Sequence, residues 1–119
     1  MKKLLVVIFA CSLSAQAAEP RWTFAVAAGA AMAASSYDSW LTDHRAHGCT
    51  EANSYLGPNP STGKVYGTNL AITGATIGIG YLFKRWHIPI APYAMMGVDT
   101  YRHAHGVHSW YTFKNGGCL

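Results

Sequence analysis

Apolar residues gather in three stretches separated by polar ones, and the lengths of the stretches suit helices. Trp22 to Leu41 is rich in alanine, with Ala27-Ala28-Gly29-Ala30-Ala31 near its centre and few strand formers, so it predicts a helix. As a helix it would be about 30 Å long, enough to cross a bilayer's hydrocarbon layer. It closes in polar residues, Asp38 and Thr42-Asp43. From Asp43 to Lys64 the chain is polar and rich in turn formers. Gly57-Pro58-Asn59-Pro60-Ser61-Thr62-Gly63 cannot continue a helix and predicts an ordered loop or linker, with Ser61 or Thr62 placed to cap the second apolar stretch.

That second stretch, Val65 to Phe83, has the clearest periodicity. At 100° per residue Gly67, Ala71, Gly74 and Gly78 fall on one narrow arc, and Gly74 to Gly78 is a GxxxG pattern. Such a face lets another helix backbone approach closely in lipid, so these four residues are the expected helix-packing surface. Asn69, Thr73 and Thr76 fall on the opposite arc. A strand reading competes, since Ile77, Ile79, Tyr81 and Phe83 alternate with glycines as in an outer-membrane strand. The smallest such barrel needs about eight strands of about ten residues, which would leave almost nothing for connections. A small β-barrel-like fold is therefore the alternative to an all-α one. The third stretch, Ile88 to Tyr101, would be about 21 Å long, too short to span; continued through His103 and His105 to Phe113 it becomes long enough. Pro89 and Pro92 sit where a first turn tolerates them, and Lys84-Arg85-Trp86-His87 reads as an interfacial turn.

Ahead of these stretches, Lys2 and Lys3, the apolar run Leu4 to Leu13, and Ala15-Gln16-Ala17 have the layout of a cleaved signal peptide, residues 1–17. The run is too short to span, and bulky Phe9 makes Cys11 a poor lipidation site. Residues 18–119 then form a single helical domain with a thin core. Its setting is the cell envelope, inner membrane or periplasm. Charged residues are only 12% of the chain, against about a quarter in soluble domains, which points to lipid or a large partner surface. The mean hydropathy of +0.10 pulls the other way. Without Lys2 and Lys3 the net charge falls from +4 to about +2, and no stripe of Lys and Arg is interleaved with aromatics, so nucleic acid is not an expected partner. After cleavage Cys49 and Cys118 remain, an even pair that reads as one disulfide in an oxidising compartment. Three spans after a cleaved leader would place both cysteines on the reducing side and turn Lys84-Arg85 outward, against the preference of basic loops for the cytoplasm. A periplasmic domain reconciles leader and disulfide.

Candidate chemistry is sparse. Asp38 and Thr42, four residues apart, share one side of the first helix, and Glu51-Ala52-Asn53 comes next in the loop; Asp38, Thr42, Glu51 and Asn53 form a possible polar site. His103, His105 and His108 with Asp99 offer nitrogen and oxygen ligands for a transition metal such as zinc, nickel or iron. The pairs His44/His47 and His105/His108 have the same i, i+3 spacing. No HExxH, CxxC, Gly-x-Ser-x-Gly, P-loop or dinucleotide glycine turn occurs, so no catalytic residues are assigned and no cofactor is required. The Asp38-Ser39-Trp40-Leu41-Thr42 helix end, the histidine-containing turn and Glu51-Ala52-Asn53 resemble the DUF5658-like small bacterial membrane or exported proteins. In these an Asp-x-x-x-Thr helix end precedes a Glu-x-Asn-Pro loop and two apolar helices; here Ser54 stands in the proline position. The resemblance implies an all-helical fold and no known activity. The residues lead to a small exported or integral membrane protein, structural or accessory through helix packing with itself or a partner. A periplasmic metal- or small-ligand-binding module using the C-terminal histidines is the alternative. An intramembrane enzyme with Asp38 and Glu51 as acid and base ranks third.

Overall fold

The three apolar stretches become three helices. The computed structural model describes residues 22–45, 49–51 and 55–112. In it α1 runs over Thr23–Asp43, α2 over Thr62–Arg85 and α3 over Ala91–Thr112. No strand occurs among the described residues, and the alternating stretch from Ile77 to Phe83 lies inside α2. The fold is all-α. The leader lies outside the described residues. So do Asn53, His47 and Cys118.

Local chemistry explains the helix ends. Ser61 caps α2, its Oγ accepting from the Lys64 N–H at 3.3 Å. Lys84 and Arg85 occupy the last turn of α2, where cations oppose the negative end of the helix dipole. Beyond them the Ile88 N–H bonds the Phe83 carbonyl and the His87 N–H bonds that of Lys84, at 3.0 and 3.1 Å. This is a Schellman closure, with His87 at φ 58° in the left-handed position usually given to glycine. α3 takes the longer of its two expected extents, because its only nearby prolines, Pro89 and Pro92, fall before it and in its first turn.

The ring of Phe24 meets Tyr81 and Tyr93, with centroids 6.2 and 6.5 Å away. The start of α1 therefore lies beside the end of α2 and the start of α3. At the other end Thr62 donates to Asp43 Oδ1 at 2.6 Å. The helices thus run up, down and up, and each packs against the other two.

Each helix turns one stripe inward, but the stripes are mostly small or polar. α1 buries Ala31, Ser35, Ser39 and Thr42; α2 buries Val65, Asn69, Thr73 and Gly80; α3 buries Met96, Asp99, His103 and Trp110 among others. The apolar cluster is small, Leu41 against Trp110 with Val107 and the disulfide-bonded Cys49 beside them. Large apolar groups lie outside instead: Trp22, Val26, Trp86 and Val98 are each more than half exposed. Taken singly, no helix among the described residues is long and apolar enough to cross a membrane.

The expected packing face of α2 is not used among the described residues. Gly67, Ala71, Gly74 and Gly78 are exposed, and a Cβ built on any of the three glycines would meet nothing within 4 Å. The opposite arc faces inward because Asn69 and Thr73 find hydrogen-bond partners there, which a face of glycine and alanine cannot use. The glycine of α2 that does meet a neighbour is Gly80, whose Cβ would lie 3.4 Å from Pro92.

Candidate functional site, a buried carboxylate and histidine cluster

The inward stripes converge on His103, which is only 2% exposed. Its Nδ1 lies 2.7 Å from Asp38 Oδ2. An ionised carboxylate only accepts, so Nδ1 carries the proton of that bond. On the other side Nε2 lies 3.4 Å from Thr73 Oγ1 and 3.8 Å from Asp99 Oδ1. Thr73 donates to Asp99 Oδ2 at 2.7 Å. Its single proton is then committed, and it offers His103 only a lone pair. The imidazole thus ties α3 to α1, and Thr73 ties α2 to α3 through Asp99.

Arg102 closes the cluster at its rim, donating from Nη1 to the Tyr55 hydroxyl at 2.6 Å and from Nη2 to Asp99 Oδ1 at 3.5 Å. Away from the charges Asn69 donates to Ser39 Oγ at 3.0 Å, and Ser39 donates to the Ser35 carbonyl at 2.7 Å. Near the ends of α1 and α3 the indole N–H of Trp110 bonds Thr42 Oγ1 at 3.0 Å, and Thr42 in turn lies 3.3 Å from Glu51 Oε2. The hydroxyls of Tyr37 and Tyr111 pair on the outside of the same end. Among the buried side-chain polar atoms described, Ser35 Oγ is left without a partner.

Backbone shape makes room for the central pair. Gly106 stands one turn beyond His103, and a Cβ there would come within 2.7 Å of Asp38 Oδ1 and 3.0 Å of its Cγ. The carboxylate can lie against α3 only because position 106 has no side chain. Beside it opens a cavity of about 350 Å³, lined in part by Asp38, Thr42, Glu51, Leu56, Arg102 and Trp110. Asp38, Thr42 and Glu51, proposed from sequence, do share this cavity.

The metal set expected from Asp99, His103, His105 and His108 does not assemble. His103 and Asp99 lie on the buried face of α3, whereas His105 and His108 are exposed. Residues 103 and 105 are about 200° apart around a helix, so both cannot face one ion. Among the described residues no group of three His, Cys, Asp or Glu side chains is placed to hold a metal. The reach of His103 to Asp38 replaces it. Sequence reasoning missed Thr73, Asn69, Ser39, Arg102 and Gly106 as parts of the cluster. For Ser39, Asn69 and Thr73 the signal was a repeat of small polar residues every three or four positions in α1 and α2, whereas Arg102 and Gly106 carried none. Among the described residues the hydroxyl beside His103 is that of Thr73, and its proton goes to Asp99. No family model, no curated protein and no solved structure matches this chain.

Proposed function

We propose that this chain is an accessory protein of the cell-envelope membrane, a three-helix bundle seated in lipid with its polar stripes turned inward. The observation that carries this reading is the reversed distribution of side chains. Ser35, Ser39, Asn69, Thr73, Asp99 and His103 are buried, while Trp22, Val26, Ile79, Leu82, Trp86 and Val98 are exposed. In water that arrangement hides groups that would be well solvated and exposes groups that would not. In lipid both preferences are met.

The ends of the bundle fit the same reading. Trp22, the residue that precedes α1, and Trp40 within it are separated by about 27 Å of helix rise, as are Tyr93 and Tyr111 on α3. That spacing matches two aromatic belts at the faces of a bilayer. Lys84 and Arg85 lie at one end, and Asp43, Arg45 and Lys64 at the other. Between them the Asp and Arg side chains are those of the cluster, Asp38, Asp99 and Arg102. The polar stripe lowers the average hydropathy of each helix, but assembly hides it, so lipid contact belongs to the bundle. The open Gly67, Ala71, Gly74 and Gly78 face is where a further helix, from a partner or a second copy, would approach.

The test is fractionation of the full chain after expression with its own leader. The protein should stay in the membrane pellet after alkaline carbonate washing and need detergent for release. Recovery as a monodisperse species in plain buffer would overturn the proposal.

A further inference from the structure

We infer that His103 and Arg102 form a proton-operated latch, in which a proton on His103 Nε2 unseats the Arg102 guanidinium and detaches Tyr55 from the cluster. The latch lies on the side of the imidazole turned away from Asp38. With its Nδ1–H given to Asp38, the neutral ring presents a bare lone pair at Nε2, which calls for a donor. Thr73 does not supply one, because its proton goes to Asp99. Among the described residues the donor in reach is Arg102 Nη2, 3.4 Å from Nε2 and 3.5 Å from Asp99 Oδ1. Its two hydrogens suit one acceptor each.

A second proton on the ring reverses these roles. An Nε2–H donates, and it faces the spare lone pair of Thr73 Oγ1 at 3.4 Å and Asp99 Oδ1 at 3.8 Å. Toward Arg102 Nη2 it offers only the repulsion of two cations. The charges around the imidazole act in the same direction. α1 brings Asp38, α2 brings the hydroxyl of Thr73 and no charge, and α3 brings Asp99 and Arg102. Glu51, from the segment between α1 and α2, lines the cavity alongside. Beside a neutral His103, Arg102 is the cation that answers Asp38 and Asp99. An imidazolium stands between those two carboxylates and halves the negative charge that holds the guanidinium in place. Proton and guanidinium compete for one position.

Arg102 is free to give that position up. Its side chain is 39% exposed, against 5% for Asp99 and 2% for His103. Its Nη1 donates to the Tyr55 hydroxyl at 2.6 Å, and its guanidinium lies 5.8 Å from the centre of the Tyr55 ring. Leu56, next in the chain, is buried and lines the cavity that also reaches His103, so protons have a way in. A proton taken up inside the bundle is read out at its rim, while the bond from His103 to Asp38 is kept.

The experiment is an NMR titration of the full chain from about pH 4 to about pH 9, following sequence-assigned imidazole nitrogens, tyrosine Cζ and leucine methyl signals. It is run in mild detergent, or in plain buffer should the chain prove soluble, so its outcome is separate from that of the membrane proposal. His103 should change charge, and the Tyr55 Cζ and Leu56 methyl signals should move on the same curve. Coupling between two sites is reciprocal, so Arg102→Gln should take up the His103 proton about fivefold more readily, with Tyr55 no longer following it. A His103 that keeps one charge state throughout would overturn the inference. So would Tyr55 signals that stay still, or that follow a carboxylate or His105 instead. Unchanged proton uptake by folded Arg102→Gln would overturn it as well. If that variant does not fold, the curves of the unaltered chain decide alone.

Discussion

Replacing Gly106 by alanine separates the two roles that a glycine in the middle of a helix can have. In an exposed helix interior, Gly→Ala stabilises by about 1 kcal/mol, because glycine loses the most backbone entropy on folding. At position 106 the added Cβ would lie 2.7 Å from Asp38 Oδ1, closer than real contacts allow, and a tight 3.0 Å from Cγ and Oδ2. The carboxylate is short and pinned at 2.7 Å to His103, so it gives way only by breaking that bond or by parting α1 from α3. A buried charge-assisted bond is worth about 1.5–3 kcal/mol. Set against the gain in propensity, the net loss is about 1 kcal/mol or somewhat more. That corresponds to a fall in Tm of roughly 4–8 °C for a domain of this size. Gly78→Ala, with nothing within 4 Å of the new Cβ, should instead raise Tm. Thermal unfolding followed by circular dichroism in one detergent compares the two. In an Asp38→Ala background no carboxylate stands in the way, and Gly106→Ala should then stabilise as Gly78→Ala does. Equal gains from both substitutions in the unaltered chain would refute the reasoning.

Thr73→Val keeps the shape but leaves Asp99 without its 2.7 Å donor, and should cost about 2 kcal/mol by the same melting assay. Ser35→Ala removes the one buried side-chain oxygen described without a partner, and should leave stability unchanged or raise it by up to about 1 kcal/mol. Non-reduced peptide mapping should join the Cys49 and Cys118 peptides, and alkylatable thiols at both positions would exclude that pairing. Intact-mass measurement of exported protein should show cleavage after Ala17; a retained Met1 would restore an N-terminal anchor.

The helices were legible because their signal is local. Alanine-rich and apolar runs of the right length, the Gly57–Gly63 breaker and the Ser61 cap each act within a few residues. Which side of α2 faces inward was not legible, because two opposite arcs were each suited to packing. Gly67, Ala71, Gly74 and Gly78 offer close approach to any neighbour. Asn69 and Thr73 need particular partners, and those partners, Ser39 and Asp99, lie 30 and 26 residues away. Asp38, Thr42 and Glu51 were within reach because they fall close together in the chain. Their link to His103 spans 65 residues and depends on an absent side chain at 106. No periodicity in a single segment reports a contact of that kind.

The polar interior also acts as a lock against axial sliding. Apolar helices in lipid slip past one another at little cost, since one methyl group replaces another. Here the α1–α3 contacts Asp38 to His103 and Thr42 to Trp110 stand about one turn apart along α1, and each needs its own partner. Sliding α3 by one turn, about 5.4 Å, would set either Val107 or Asp99 opposite Asp38. The first leaves a carboxylate against an isopropyl group, and the second sets two carboxylates face to face. Either mismatch breaks all of the α1–α3 bonds together, so the bundle has one axial register and no near neighbour to drift into.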